Sequence, residues 1–472
     1  MILLLSLIAA LWVAAAPSAR ADEGSAQGQA YVVGTDTTYA PFEMRDPATG
    51  DMVGIDIDLI KAIAEDQGFT IDIKALGFDA AVQALTTGQV DSVIAGMTIT
   101  DERQKTFDFS DPYFDTGLQV AAAKGSGIQT LEDLKGKTLA VKTGTAGAAY
   151  AESIQDQYGF DTTTYSQTAQ MIDAVKAGQA AAYIEDYPVV AYAIKQGLDM
   201  QLVGQQVPQG SYGMAVNKDA NPELIEAFND GLANLKASGE YQQILDTYLS
   251  STEETANLSF WELVKQSMPA MLRGLAWTLA LTALSLVFAS ILGLVFGSFK
   301  VGHLAPLRWI ATGYVAIFRG TPLLVQIFFF FFTVPQMTGW KLSAFGAGVV
   351  ALALNAGAYM TEIVRGGIQS VDPGQLEAAR SLGLPYLTAM RKVVIPQAIK
   401  MSTPAFINQF IITLKDTSLV AVIGLSELTY QTQQMIASNF RSALWLIAGA
   451  LYFIVITILT LISNAVDKKV NK

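Results

Sequence analysis

Two stretches of this chain hold no charged residue over lengths that soluble folds rarely tolerate: residues 274–299, 26 positions, and residues 442–466, 25 positions. About 20 apolar residues in a helix cross the hydrocarbon core of a bilayer, so both are read as transmembrane helices. Less regular apolar runs near 320–337, 343–364 and 402–425 bring the expected number of spans to five. The first half of the chain differs in kind, with Asp or Glu in almost every block of ten. At 472 residues the chain is too long for one hydrophobic core, and the polar stretch SSTEETANLS divides it. Domains are therefore expected at 22–250 and 260–472, with 251–259 as linker.

The opening MILLLSLIAALWVAAAPSARA is an apolar core closed by Ala19-Arg20-Ala21, small residues where a signal peptidase reads. Residues 1–21 are thus expected to be a signal peptide cleaved before Asp22. Basic residues set the orientation. With the first half outside, the first span runs inward and leaves Lys300, His303 and Arg308 in the cytoplasm; Lys468, Lys469 and Lys472 follow the fifth span, also inside. The same count puts 365–401, with Arg365, Arg380, Arg391, Lys392 and Lys400, on the cytosolic side.

Composition excludes several classes. Net charge is -12, which argues against nucleic acid as partner, since phosphate neutralisation needs clustered Lys and Arg. Cysteine is absent and His303 is the single histidine, which removes disulfides, thiol nucleophiles and cysteine-ligated metals and speaks against histidine chemistry. LKGKT at 134–138 ends like a phosphate-binding loop, but Leu131 stands where that loop needs glycine, so no ATP site is expected.

Residues 22–250 alternate short apolar strands (YVVGTD, LQVAAA, TLAVKTG, AAAYIED, YGMAVN) with amphipathic stretches such as IDLIKAIAEDQG and MIDAVKAGQ, an α/β pattern. Polar and aromatic residues follow the strands in GTDTTYAPFE (34–43), GFD (77–79), AGMTITDERQKTFDFSDPY (95–113), VKTGTAG (141–147) and IEDYP (184–188). Ligands of open α/β sheets collect at the carboxyl ends of strands. In this order and spacing the segments resemble the solute-binding proteins of the polar amino-acid class, most nearly the glutamine-binding members, over about residues 30–250. The resemblance implies a two-lobed type II periplasmic-binding-protein fold, with lobe 1 at about 30–115 and 212–250 and lobe 2 at about 116–211, closing over an amino acid.

An α-amino acid that loses its water needs partners for both of its charges. Arg103 can hold the carboxylate through a bidentate fork, with the Thr98 hydroxyl and a helix expected to start at Thr100-Asp101-Glu102. The resemblance gives Asp186 as partner of the ammonium, helped by backbone carbonyls near Ala95 and Gly96, and Tyr39 and Phe78 as aromatic walls; Ala146 stands at a pocket position where many relatives have Gly. A side-chain carboxamide needs one acceptor and one donor, which Asp36 and Lys142 supply. Glutamate would face Asp36 with like charge, and arginine or lysine would face Lys142. Sites of this kind reject the wrong polar group by on the order of 10⁴. Glutamine ranks first, then asparagine, then glutamate and the basic amino acids. Glu185 departs from the pattern, standing where the glutamine binders carry His, and biases the pocket toward cations.

Between the apolar runs lies VDPGQLEAARSLG, 371–383. Asp372 suits an N-cap, Pro373 the first helical position, Gln375 a capping box and Gly383 the helix end. GGIQSVDPGQLEAARSLG with IPQ at 395–397 resembles the EAA loop of ABC importer permeases, spanning 366–397, with Glu377, Ala378, Ala379 and Gly383 at the family positions. FRGTPLLVQ (318–326), AYMTEIVRGGI (358–368) and LKDTSL (414–419) match permeases of the polar amino-acid class over about 260–470. An all-α permease of about five helices is implied, with a coupling helix that docks on a separate ATPase. The partners implied are two ABC ATPase subunits, which carry the ATP and Mg, a second copy of this chain in a homodimer, the bilayer and the amino acid. The charges Lys415, Asp416 and Arg319, in or beside apolar runs, are read as structural. A ten-residue tether spans only about 18 Å as a coil and holds the receptor near its permease at about millimolar effective concentration. A ligand-gated channel or a sensor could use the same binding fold, but no TVGYG-like filter stands in the apolar runs, and both lobes finish before the first span, so an importer is expected instead.

Overall fold

The computed structural model describes residues 25–46, 49–249, 259–439 and 441–470; the expected signal peptide and all of the expected linker but Ser259 lie outside the described residues. Two five-stranded sheets follow one another in the first half. In the first, Ala30–Thr35 pairs in parallel with Thr70–Ala75 and Ser92–Val93, while Ala215–Asn217 runs antiparallel to Ser92–Val93 and Phe107–Phe109. The second has the order Met200–Tyr212, Phe114–Ala123, Ala182–Asp186, Thr138–Lys142, Asp161–Tyr165. The chain leaves the first sheet through Phe114–Ala123 and returns through Met200–Tyr212, which pair antiparallel along their length. These two crossings make two lobes with a cleft between them, the type II periplasmic-binding-protein fold.

Each lobe closes over its own apolar core. Strand Ala182–Asp186 is buried throughout, its two acids Glu185 and Asp186 included, because helices cover both faces of its sheet. In the first lobe, Leu59, Ile60 and Ile63 of the helix Ile55–Gln67 meet Phe228 and Leu232 of the helix Pro222–Ser238.

The second half is helical. Phe260–Val301, Ala344–Gln369, Tyr386–Ile423 and Leu444–Ile462 are long and apolar enough to cross a membrane. The run expected near 320–337 is instead one limb of a pair, Ala305–Gly320 and Leu323–Thr338, bent by 105°. Pro322 precedes the second limb, and side chains take over the carbonyls that the bend frees. Gln326 donates to the Phe318 and Thr321 oxygens at 2.9 and 3.1 Å, and Asn355 to the Phe318 oxygen at 3.0 Å. Helices Phe260–Val301 and Ala344–Gln369 approach closely through Gly293 and Gly297. A Cβ at either would lie 2.5 Å from Met360 or 2.6 Å from Val364. Asp416 ends its helix before a 3₁₀ turn, Thr417–Ile423, and Arg319 stacks on Tyr359 at 4.8 Å.

The first lobe rests on the helical half. Leu76 and Phe78 share an apolar cluster with Phe331, Phe332 and Ile423, Tyr430 donates to the Ala75 oxygen at 2.8 Å, and Gln89 donates to the Phe331 oxygen. A cavity of about 830 Å³ at this junction is lined by Arg45, Lys61, Lys74, Phe331 and Phe345 among others. It is roomy, but the buried opposing charges that recognise a zwitterion converge elsewhere, in the cleft.

Candidate functional site

Asp36 follows strand Ala30–Thr35 and Lys142 ends strand Thr138–Lys142, so each stands at the carboxyl end of a strand in its own lobe. They are 1% and 2% exposed and form an ion pair across the cleft. Burial works against the Lys142 charge, but the Asp36 carboxylate, with Glu185 and Glu43, outweighs it and holds the ammonium above its ordinary range. The Lys142 ammonium also lies over the Tyr39 ring at 4.9 Å and the Phe78 ring at 5.6 Å.

Arg103 stacks over Phe78 at 5.4 Å and donates to the Thr98 oxygen at 2.7 Å and to the Gly144 oxygen at 3.0 Å, the second across the cleft. The helix expected at Thr100–Glu102 is only one 3₁₀ turn, Arg103–Lys105, because the chain at once enters strand Phe107–Phe109. Such a turn has too few aligned peptides to attract an anion. The helix end at this site is that of Ala146–Tyr158, capped by Thr145, whose hydroxyl accepts from the Ala148 amide at 3.2 Å. Ala146 and Gly147 thereby present their amides toward the pocket that they line.

Asp186 ends strand Ala182–Asp186 and accepts from the Tyr39 hydroxyl at 2.5 Å and from the Tyr212 hydroxyl. Burial pushes its carboxyl up, against those two hydrogen bonds. The neighbouring Glu185 is buried too, accepts from Thr168 at 2.7 Å, and is pushed up to about 7 by burial against the pull of Lys142. Tyr39, Phe78, Ala95, Gly96, Thr98, Arg103, Lys142, Ala146 and Asp186 line one pocket, with Asp36 behind Lys142. Thr145, Gly147 and Glu185 also line it, and Tyr212 supports it from the returning strand. Thr145 was visible as a hydroxyl residue ahead of an Ala-rich run; Tyr212 left no local signal. The lobes are closed, leaving about 20 Å³ between them, room for about one water, so an amino acid enters only when they part.

Residues 31–251 match the family of bacterial extracellular solute-binding proteins, family 3, and residues 289–472 match the binding-protein-dependent transport system inner membrane component. The arginine transport system permease ArtQ of Bacillus subtilis is 41% identical over 215 residues, 45% of this chain and 97% of that protein. This chain belongs to the amino-acid ABC importers. Its relatives divide between its two halves. The arginine-binding extracellular protein ArtP of B. subtilis is 33% identical over 51% of this chain and 95% of its own length, and the glutamine transport system permease GlnP of Escherichia coli 34% over 44% and 96%. The importer thus joins in one chain a binding protein and a permease that those relatives carry separately.

In the permease half of the importer the segment after Ala344–Gln369 forms the helix Pro373–Ser381. Asp372 caps it by accepting from the Gly374 amide at 2.7 Å, Pro373 opens it, and Gly383, at φ +86°, stands just past its end. The capping box is not formed, since Asp372 bonds the second amide of the helix and no reciprocal bond from Gln375 joins it. Glu377, Ala378 and Arg380 are exposed, whereas Ala379 is buried. Two exposed residues the sequence reading passed over are Leu382 and Leu387, at 85% and 80%.

Proposed function

We propose that the importer takes glutamine outside the cell and delivers it inward, its C-terminus in the cytoplasm and its 366–397 loop on the ATPase. The carrying observation is the cross-cleft pair Asp36–Lys142, one buried acceptor beside one buried donor at the pocket that Arg103 and Asp186 also line. A carboxamide inserted between them satisfies both. Arg103, Thr98 and the amides at Ala146–Gly147 take the α-carboxylate, Asp186 takes the α-ammonium, and Tyr39 and Phe78 pack the methylenes. Cations are disfavoured by Lys142, whose charge the neighbouring carboxylates, Asp36 first, hold against the effect of burial. Two copies of the chain with two ATPases complete the transporter, with Glu377, Ala378, Gly383, Leu382 and Leu387 at the contact.

A second reading, arginine, has Glu185 in its favour. This carboxyl lies within the field of Lys142 and adds an acidic group that a glutamine site does not need.

Calorimetric titration of the full chain in nanodiscs with glutamine, asparagine, glutamate and arginine, repeated on Lys142→Ala, separates them. Glutamine binding tightest and weakening about 100-fold in the variant supports the proposal, since truncating one member of a buried charge pair costs about 2–5 kcal/mol. Arginine binding tightest, or tighter in Lys142→Ala than in the wild type, overturns it in favour of the second reading.

A further inference from the structure

Beneath the pocket lies a pair of acids that the binding chemistry does not use. Glu43 and Asp56 are both 0% exposed, and neither lines the pocket. Asp56 Oδ2 accepts from the Gly96 amide at 2.7 Å and from the Tyr113 hydroxyl at 2.7 Å. Its Oδ1 and both Glu43 oxygens meet no donor, although the two carboxyl groups lie within hydrogen-bonding reach of each other. The cation near them, Lys142, is committed to Asp36. Two ionised carboxylates in contact in a dry site repel and go unsolvated, whereas one proton between them turns the repulsion into a charge-assisted O–H···O bond.

We infer that Glu43 and Asp56 share one proton and that this pair positions the Tyr39 turn against Gly96. Glu43 carries the proton and donates it to Asp56, which then receives three donors: the Gly96 amide, the Tyr113 hydroxyl and the Glu43 carboxyl. Burial, followed by the Asp56 and Asp36 carboxylates, pushes Glu43 well above the ordinary carboxyl range, while burial pushes Asp56 only to about 6, so the proton rests on Glu43.

The backbone makes the pair a positioning device. Tyr39 and Glu43 exchange amide bonds at 2.9 and 3.2 Å, and the Asp56 amide bonds the Phe42 oxygen at 2.9 Å. Glu43 therefore anchors the turn that carries the Tyr39 ring, and Asp56 anchors Gly96. The two anchored segments touch: Gly96 has φ +53°, and a Cβ there would strike the Tyr39 ring. A break in the Glu43–Asp56 bond releases the aromatic wall from the floor of the pocket. The inference rests on the pocket taking an amino acid, not on which one.

The test uses the full chain in nanodiscs, with glutamine as probe and arginine in its place if glutamine does not bind. Glu43→Gln keeps an N–H donor toward Asp56 and is expected to hold affinity within about threefold, while Glu43→Ala, without donor or bulk, is expected to lose about tenfold or more. Infrared difference spectra of wild type against Glu43→Gln, in H₂O and D₂O at pH 7, are expected to show one protonated carboxylic-acid band lost in the variant, beside the contribution of Glu185 that both share. An acid band unchanged by Glu43→Gln overturns the shared proton. Affinity lost as far in Glu43→Gln as in Glu43→Ala, or unaffected in Glu43→Ala, overturns the positioning role. If Glu43→Ala does not fold, Glu43→Gln and its spectrum decide. If neither amino acid binds the wild type, the cargo reading has failed, and the acid band still decides the proton.

Discussion

The cleft and the 373–387 segment put the same residue types to opposite use. In the cleft, charged side chains are buried and meet partners from the opposite lobe: Lys142 for Asp36, Tyr39 for Asp186, the Gly144 carbonyl for Arg103. On the segment, Glu377 and Arg380 stand exposed and the apolar Leu382 and Leu387 stand out beside them. One surface is completed by closure of the chain on itself. The other, on the proposed reading, is completed by the ATPase. Binding energy in the cleft should therefore depend on charge, and binding energy at the segment on apolar area.

The sharpest break on the cleft side is Asp186→Ala. It removes the acceptor of two tyrosine hydroxyls and, on the proposed reading, the partner of the ligand ammonium. Loss of about 10³ in amino-acid affinity is expected, on the order of 4 kcal/mol, by calorimetry on the full chain. A loss below tenfold would show that the closed-lobe hydrogen bonds, rather than the ligand, are what Asp186 serves.

On the other side, Leu382→Ala with Leu387→Ala should leave amino-acid affinity unchanged and weaken association with the ATPase. Fully burying a leucine side chain contributes about 1.5–3 kcal/mol, so the pair is expected to lose about 3 kcal/mol of ATPase affinity, read by co-purification across a salt series. A salt-dependent contact indifferent to both leucines would reverse the comparison and give the segment to Glu377 and Arg380.

The same contrast separates what the sequence could and could not yield. Asp36, Tyr39, Lys142 and Asp186 were legible because each sits at or just past the carboxyl end of a strand in a recognisable segment. Their pairing was not, since Asp36 and Lys142 lie 106 residues apart and meet only through the geometry of the two crossing strands. Thr100-Asp101-Glu102 misled because hydroxyl and acidic residues ahead of an apolar run suit a capped helix, yet the run that follows, Phe107–Phe109, pairs with Ala215–Asn217 as a strand. Ala379 was legible in principle. It lies three residues after Leu376, which packs on the Val371–Val394–Ala398 cluster, so both share the inward face of one short helix. The bent span was signalled by Pro322, but its 105° turn depends on Gln326 and Asn355 reaching the freed carbonyls, the latter from a helix 29 residues further on.

The membrane half offers a smaller test that leaves both surfaces alone. Gly297→Ala places a Cβ against Val364 and is expected to cost about 1–3 kcal/mol by overpacking, seen as a lower unfolding temperature in detergent. Amino-acid affinity should stay within twofold. A variant as stable as the wild type would mean that the two helices part at no cost.

The smallest effect expected is one of pH, and its sign follows from burial in the receptor half. Glu43, Asp56 and Glu185 are all pushed upward, chiefly by burial, Asp56 to about 6 and Glu185 to about 7. For a group whose folded value lies above its unfolded one, the stabilisation is whole below the unfolded value, near 4, and is lost as pH rises to the folded one, at up to about 1.4 kcal/mol per unit per proton. Asp66, Asp108 and Asp133 shift downward through hydrogen bonds and oppose this, but they sit in solvent, where such bonds count for little. The calorimetric transition that the ligand shifts should thus fall in temperature between pH 5 and pH 8. Glu185→Gln should flatten the curve around pH 7, and Glu43→Gln should flatten it as well. A transition that rises across this range, or one that both variants leave equally steep, would mean that these carboxyls find donors in the folded chain that make burial no obstacle to their charge.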